Sequence, residues 1–356
     1  MGTKQHIATY SLADPAEARP VIEKTLEHLR RPENFYTALA LYRRLQFGRF
    51  LEGSRLYTNR SLSEPRNHAE EQSGEPWFYA FVDRGCRPET EVWLFGNWEA
   101  EFDRSKQNHG ITPNSSSDKD EAIQSLITFL IRTIKTHNAP PSIHKGEDVF
   151  TAQSQTSSSQ HRQNHKPESS SLPDPNIMLW GAIHETTVPH LQALSLLASP
   201  TEPNWTFLFP LSSLPEPSPL PADLRWGRLE PRHFPLVRSR TEIPRQDFTL
   251  ARLPNLGIFP AQPADAAPVA WAFVGLDGSL TTLHTEASHR RMGLGKLLSA
   301  RLFREEMGRF WEDGLERLAH GNVMVGNEAS AGMCRSLGGR RVAEVYWVRI
   351  NLKKVE

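Results

Sequence analysis

Cysteine is scarce in this chain. Its 356 residues hold two, Cys86 and Cys334, far apart in sequence. Such a pair reads as reduced thiols in a reducing compartment. Net charge is missing altogether, because 41 Lys and Arg stand against 41 Asp and Glu. A nucleic-acid partner usually needs a basic face, so this balance argues against one. No apolar run reaches the roughly eighteen residues of a membrane span, so no membrane partner is expected. The first residues lack the apolar stretch of a secretory signal. Gly2 stands at a myristoylation position, but His6 replaces the usual Ser or Thr, so lipidation is not expected. A cytoplasmic or nuclear location is the default, and no metal-ligand pattern stands out.

The length suits about two domains. Two stretches are poor in apolar residues, about 103–119 and about 137–175, the second containing Ser157-Ser158-Ser159-Gln160-His161. Such sequence cannot bury enough surface to offset its ordering entropy, so both are predicted to be disordered or mobile insertions. Between them, residues 120–136 carry Ile123, Leu126, Ile127, Leu130, Ile131 and Ile134 as one helical stripe. A proline-rich connector, 214–222, then separates an N-terminal half, 1–213, from a C-terminal half, 223–356.

The C-terminal half reads as strand 224–229, short helices 230–238 and 245–253, and a strand pair at 256–259 and 269–276. Asp277-Gly278 makes a hairpin turn into a strand near 280–286. Next comes Arg290-Arg291-Met292-Gly293-Leu294-Gly295-Lys296, which opens a helix at Leu297–Phe303. A strand, a glycine-containing basic turn and a helix start form an anion-binding device. The first helical N–H groups have no partner within the helix, and the helix dipole adds positive charge. It is not the dinucleotide fingerprint, because Leu298 stands where the third glycine belongs. It is not a Walker A loop either, because Leu297 follows Gly295-Lys296.

The turn resembles the coenzyme A pyrophosphate loop of the GNAT acyltransferase superfamily, Gln/Arg-x-x-Gly-x-Gly/Ala. A second signature follows: Asn327-Glu328-Ala329-Ser330-Ala331-Gly332-Met333-Cys334, in a helix closed by Gly338-Gly339. It is similar to the superfamily's Asn-x-x-Ala/Ser motif. Locally, Asn327 is a good N-cap and Gly338-Gly339 a strong stop. A short strand at 323–325 precedes this helix, and an alternating strand at 342–350 follows it. The run from Trp271 to Leu280 looks most like the glycine N-acyltransferase-like branch.

The resemblance implies an α/β (α+β) GNAT fold, a mixed central sheet flanked by helices. It implies acetyl-CoA or another short acyl-CoA as co-substrate, without metal. The loop residues Arg290, Arg291, Met292, Gly293, Leu294, Gly295 and Lys296 would hold the pyrophosphate. Leu283 and Thr285, at a strand edge, would pair with the pantetheine arm. Asn327 and Ser330 would cap their helix, contact the coenzyme arm, or both. One departure stands out: Cys334 occupies the position of the family's usual acid, a Tyr. Cys334 is then either the acid or a packing residue, with Tyr346 and His320 as substitutes. Glu286 is a candidate base at the strand end. Ser279, Thr281 and Leu283 share a strand face by alternation, and His284 faces the other side as a core residue.

The N-terminal half has a similar cadence. Strands at 78–82 and 91–95 precede the 120–136 helix, followed by a strand at 177–182, a helix near 188–197 and a strand at 205–209. This predicts a tandem whose first copy is a degenerate GNAT-like half. It lacks the glycine turn after Trp93–Trp98 and should not bind coenzyme A. The function expected is N-acyl transfer, most simply N-acetyl transfer, to a small-molecule or peptide amine by direct attack in a ternary complex. The alternative is a catalytically weak or inactive coenzyme-binding or protein-interaction module. The sequence identifies neither the acceptor nor the oligomeric state.

Overall fold

The computed structural model describes residues 6–62, 74–109, 117–142, 174–241 and 245–356. The N-terminal half runs β1 (Ala8–Ser11), α1 (Pro15–Leu29), α2 (Leu39–Phe47), β2 (Arg55–Thr58), β3 (Phe78–Val82) and β4 (Val92–Gly96). It continues with α3 (Asn97–His109), α4 (Ser117–Lys135), β5 (Ile177–His184), α5 (Val188–Ala193) and β6 (Pro203–Pro210). The C-terminal half runs β7 (Leu224–Gly227), α6 (Phe234–Ser239), α7 (Asp247–Leu250), β8 (Asn255–Pro260), β9 (Ala270–Val274) and β10 (Ser279–Thr285). It ends with α8 (Leu294–Glu306), β11 (Leu318–Met324), α9 (Glu328–Ser336) and β12 (Arg340–Asn351). Among the described residues the two halves match element for element, except that α3 has no counterpart.

All twelve strands among the described residues join one mixed sheet, in the order β1-β2-β3-β4-β5-β12-β6-β11-β10-β9-β8-β7. Each N-terminal strand finds its counterpart at the mirror position, which defines a pseudo-twofold axis normal to the sheet at its centre. At that seam the halves exchange strands. β12 lies between β5 and β6, and β6 lies between β12 and β11, all antiparallel. The fold is therefore the expected tandem, and its halves share their central strands. The proline-rich connector divides the chain but not the sheet.

Local sequence explains the elements. Asp14 caps α1 by accepting from the N–H of Ala16 at 2.8 Å, with Pro15 at the first helical position. The six apolar residues of the α4 stripe are all buried, each worth about 1.5–3 kcal/mol of transfer free energy. They pack with α5 and with Phe78, Ala80 and Trp180 on one sheet face. On the opposite face α1 and α2 cover Tyr79, Phe81, Trp93 and Phe95. In the C-terminal half α8 lies on the α4 side, where Phe303 meets Phe209. The α6–α7 segment lies on the α1–α2 side, where Arg245 reaches Thr281.

Both insertions expected to be mobile are partly built into the fold. Residues 103–109 complete α3. That helix lacks an apolar stripe, and tertiary polar contacts hold it. Asp103 accepts from Thr37 Oγ1 at 2.7 Å and pairs with His184 at 3.2 Å, while Arg104 donates to the carbonyl of Glu33 at 2.7 Å. Residues 110–116 lie outside the described residues, and α4 opens at Ser117. Of the second stretch, 143–173 lie outside them. Its first residues are fixed by Arg87 donating to the carbonyl of Pro140 and by Ser142 donating to that of Arg87, both at 2.6 Å.

Buried polar groups tie the halves together. Arg43 on α2, 1% exposed, donates to the carbonyl of Phe310, and burial lowers its guanidinium to about 10. Glu89 accepts from the N–H of Gln246 at 3.1 Å and from Thr249 Oγ1 at 2.7 Å, which anchors the start of α7.

Candidate coenzyme site

β10 and β11 run parallel and pair at Ser279↔His320 and Leu280↔Gly321, then diverge. A bulge lies between Thr281 and His284 at the point of divergence. Within it Thr282 has φ 54°, the left-handed region that a β-branched residue rarely adopts. The result is a V-shaped opening whose C-terminal end holds both motifs, since parallel strands finish at the same side of a sheet.

The free edge of β10 follows from one bond. Glu286 donates its N–H to Val269 on the β9 side at 2.8 Å. By strand alternation Leu283 and Thr285 then turn their backbone groups into the opening. The carbonyl of Thr285 accepts there from Arg290 Nε at 3.1 Å.

Beyond β10 a short 3-10 turn, Ala287–His289, leads into the basic loop. Arg291 and Gly293 both have positive φ, 65° and 75°. Gly293 is the N-cap of α8, and no side chain caps that helix. A Cβ added at Gly293 would meet nothing within 4 Å. Leu294, Gly295 and Lys296, in the first turn, therefore present uncapped N–H groups toward open space. Arg290, Arg291 and Met292 are exposed around them. This arrangement suits a diphosphate: left-handed turns aim successive N–H groups at one point, and the helix dipole adds to them. At the neighbouring strand end Asn327 caps α9, accepting from the N–H of Ser330 at 3.1 Å.

The bulge overturns the expected side-chain alternation. Thr281 aligns with Phe273 and His284 with Trp271, two residues apart on β9. His284 therefore shares the Thr281 face, and Leu283 does not. His284 stacks on Trp271, ring centroids 4.7 Å apart, with Nε2 3.7 Å from Glu286 Oε2, just beyond hydrogen-bond reach. Burial lowers the His284 pKa, against the pull of Glu286. For Glu286, burial works upward but Arg240, 3.0 Å away, and His284 hold it below the usual carboxylate range. Arg245 donates to Thr281 Oγ1 at 2.7 Å on the same face. His284, Arg240 and Arg245 thus join this cluster, which sequence patterning alone did not assemble. A bulge leaves no sequence mark here beyond Thr281-Thr282, so nothing announced the change of face.

The other candidates lie elsewhere. Cys334 is 2% exposed in the C-terminal core, and burial pushes its thiol up to about 11. Tyr346 sits at the seam, paired with Ile183 and Pro203 and packed against the N-terminal core. His320 lies buried on β11. Cys86 and Cys334 are both free and buried. Among the described residues no cluster of His, Cys, Asp and Glu suits a metal ion, and no helix is long and apolar enough to cross a membrane.

The N-terminal half has the same opening. β4 and β5 pair in parallel only at Val92↔Trp180 and Trp93↔Gly181. There β4 runs straight into α3 without a loop. Trp98 Nε1 donates to Thr187 Oγ1 at 2.9 Å, and Thr187 Oγ1 donates to Glu99 at 2.6 Å, spanning the gap between β4 and α5.

Residues 14–206 match the family model described as the acyl-CoA N-acyltransferase verG N-terminal domain, and residues 255–348 match the FR47-like protein model. A Drosophila protein of known structure aligns over 97% of this chain and 98% of its own, at 13% identity and TM-score 0.54. A tandem GNAT protein from the clavulanic acid biosynthesis pathway aligns over 98% and 99%, at 11% identity and TM-score 0.47. An acetyltransferase of the GNAT family from Colwellia psychrerythraea aligns over 97% and 99%, at 9% identity and TM-score 0.41. At such identities the first bears on the fold alone. No curated protein gives a significant match to the sequence.

Proposed function

This chain belongs to the family of the acyl-CoA N-acyltransferase verG N-terminal domain, and we propose that its C-terminal half transfers an acyl group, most simply acetyl, from acyl-CoA to an amine. The observation that carries this reading is the uncapped start of α8 behind the left-handed Gly293, beside the stretch of β10 that runs on past its pairing with β11. The N–H groups of Leu294, Gly295 and Lys296 take the pyrophosphate, and Arg290, Arg291 and Lys296 supply charge around it. The edge of Leu283 and Thr285 takes the amide-rich arm as a sheet edge takes a peptide. An N–H of that edge polarises the thioester carbonyl.

The acceptor approaches from the Thr281 face. Its nitrogen attacks the thioester carbon, the C–N bond forms and the C–S bond breaks, and sulfur leaves with the electron pair. His284 accepts the amine proton, because a lowered pKa keeps its imidazole neutral near pH 7. Glu286 positions His284 and stays anionic beside Arg240. Cys334 faces the core, so the departing thiolate takes its proton from water. Residues of the buried Cys334 position contribute packing rather than acid chemistry.

Coenzyme A at saturating concentration is expected to raise the thermal midpoint of the protein. Gly293→Glu places a carboxylate where the diphosphate sits and is expected to weaken binding by at least ~100-fold, about 2.7 kcal/mol. Unchanged stabilisation in that variant would remove the loop assignment. Thiol release from acetyl-CoA with an amine panel then separates an enzyme from a module that only binds the coenzyme.

A further inference from the structure

A cavity of about 170 Å³ lies on the α1–α2 face of the sheet, over the strand-exchange seam. The strand register draws its floor at the β11 end. His320, Leu208 and Arg340 lie in one row across β11, β6 and β12, and Asn322, Thr206 and Ala343 lie in the next. All six line the space. Strands ~4.8 Å apart and rows ~6.6 Å apart make that floor about 10 by 7 Å, close to the footprint of one ring. An engineered cavity of ~150 Å³ admits benzene, so the volume agrees. At the rim the Arg340 guanidinium sits 5.4 Å from the ring centroid of Tyr36, in the α1–α2 connection. Both are exposed, so the entrance faces solvent.

Two polar groups on this floor lack partners. His320 is 2% exposed, and neither ring nitrogen has a hydrogen-bond partner. Buried polar atoms are nearly always hydrogen-bonded, so an orphaned ring that lines a cavity marks a place for a guest. Burial lowers the pKa of His320, against Asp277 and with Arg43, so the ring is neutral and offers one donor and one acceptor. Two residues along the same strand face, Asn322 accepts at Oδ1 from Thr206 Oγ1 at 2.8 Å, and its Nδ2 has no partner among the described residues. A hydroxyl suits both groups, because it donates and accepts. It can meet either nitrogen of His320 and take the amide N–H of Asn322. An ammonium can only donate, and a carboxylate can only accept. The acids Asp103 and Glu99 lie toward β5, beyond β12, and are held by Thr37, His184 and Thr187. The rest of the floor is apolar or already paired, apart from Arg340 at the rim.

We propose that this floor binds a neutral, ring-sized molecule carrying a hydroxyl group, the hydroxyl set between His320 and Asn322 and the ring on Leu208 and Ala343. The site is distinct from the coenzyme opening, since no described residue of β10 lines it, and the proposal does not depend on the acyl-transfer reading. Its occupant sits between the α1–α2 connection of one half and β11 of the other. Occupancy therefore ties the two halves together and stabilises the fold.

Phenol is the probe, with toluene, benzylamine and benzoate as controls, in calorimetric titrations of the full chain without coenzyme A. Phenol is expected to bind about fivefold or more tighter than toluene, the gain of a net hydrogen bond, and tighter than either charged ring. Saturating phenol is expected to raise the thermal midpoint. Absence of phenol binding means that water completes His320, and overturns the site. Toluene, benzylamine or benzoate binding as tightly as phenol overturns the hydroxyl assignment. His320→Phe keeps a ring, removes both orphaned nitrogens and is expected to bind phenol and toluene alike; a preference for phenol retained in it overturns the role of His320. If His320→Phe does not fold, Ala343→Phe decides the place. It fills the floor from β12 and is expected to abolish phenol binding, and unchanged binding in the folded variant overturns the location. The ratio of phenol to toluene in the natural chain stands as a test whether or not either variant folds.

Discussion

The two V-shaped openings share a frame and differ in contents. In the N-terminal opening Gly96 ends β4, and a Cβ there would lie 2.3 Å from the indole of Trp98. That indole, 5% exposed, reaches across to Thr187, and the helix starts at once. In the C-terminal opening residues 286–293 intervene between strand and helix, and the space before Gly293 is clear. A glycine serves opposite ends in the two copies: Gly96 admits a plug, and Gly293 permits a left-handed turn with room for a ligand. The lesson is that a duplicated sheet preserves its splay, and the chain that follows the fourth strand decides whether the splay is core or site.

The largest disturbance of this comparison is to separate the copies. Residues 1–222 and 223–356 expressed apart are each expected to fail to fold, because each lacks the strand that the other inserts. Co-expression is expected to restore a soluble complex, with circular dichroism and gel filtration as the readout; a fragment that folds alone as a monomer contradicts the strand exchange. Next comes the plug. Trp98→Ala removes a buried ring and a hydrogen bond and is expected to destabilise by about 3–5 kcal/mol in urea unfolding, with coenzyme A affinity unchanged, since the proposed coenzyme site lies in the other copy.

A smaller effect concerns Glu91, just before β4. Burial raises its carboxyl to about 8, against the N–H of Leu179 and the charges of Arg84 and Arg87, and Oε2 has no hydrogen-bond partner. A carboxyl whose folded pKa exceeds its ordinary value contributes stability below that ordinary value, and the contribution is lost as pH rises through about 8. Glu91→Gln is therefore expected to match the natural chain near pH 5 and to exceed it above pH 8, by roughly 1–3 kcal/mol. Equal pH profiles in thermal melts would refute this. The smallest effect is at the helix caps. Asn327→Ala is expected to cost about 1 kcal/mol without ligand, whereas Thr187, whose hydroxyl serves Glu99 rather than its own helix, should act through the plug.

Much of the frame was legible because local periodicity carries it. The Ile123–Ile134 stripe, the Asp277-Gly278 hairpin and the order of elements in the C-terminal half all depend on near neighbours in sequence. The loop and Asn327 were legible for the same reason, as local backbone chemistry. The 97–109 helix was not, because contacts from Thr37, Glu33 and His184 hold it and no apolar pattern marks it. The face of His284 was missed because a bulge shifts the register by one residue. The seam was missed because the pairing of β12 with β5 and β6 joins segments remote in sequence, which no window of local pattern contains.

That seam also sets a schedule for synthesis. β5 leaves the ribosome long before its neighbour β12, and until residues 340–351 have been translated it presents a bare hydrogen-bonding edge. The N-terminal copy cannot close co-translationally as an ordinary leading domain does. Its nascent form is a natural client for a chaperone, and a ribosome stalled short of the final strand would release a chain whose one sheet is broken at its centre.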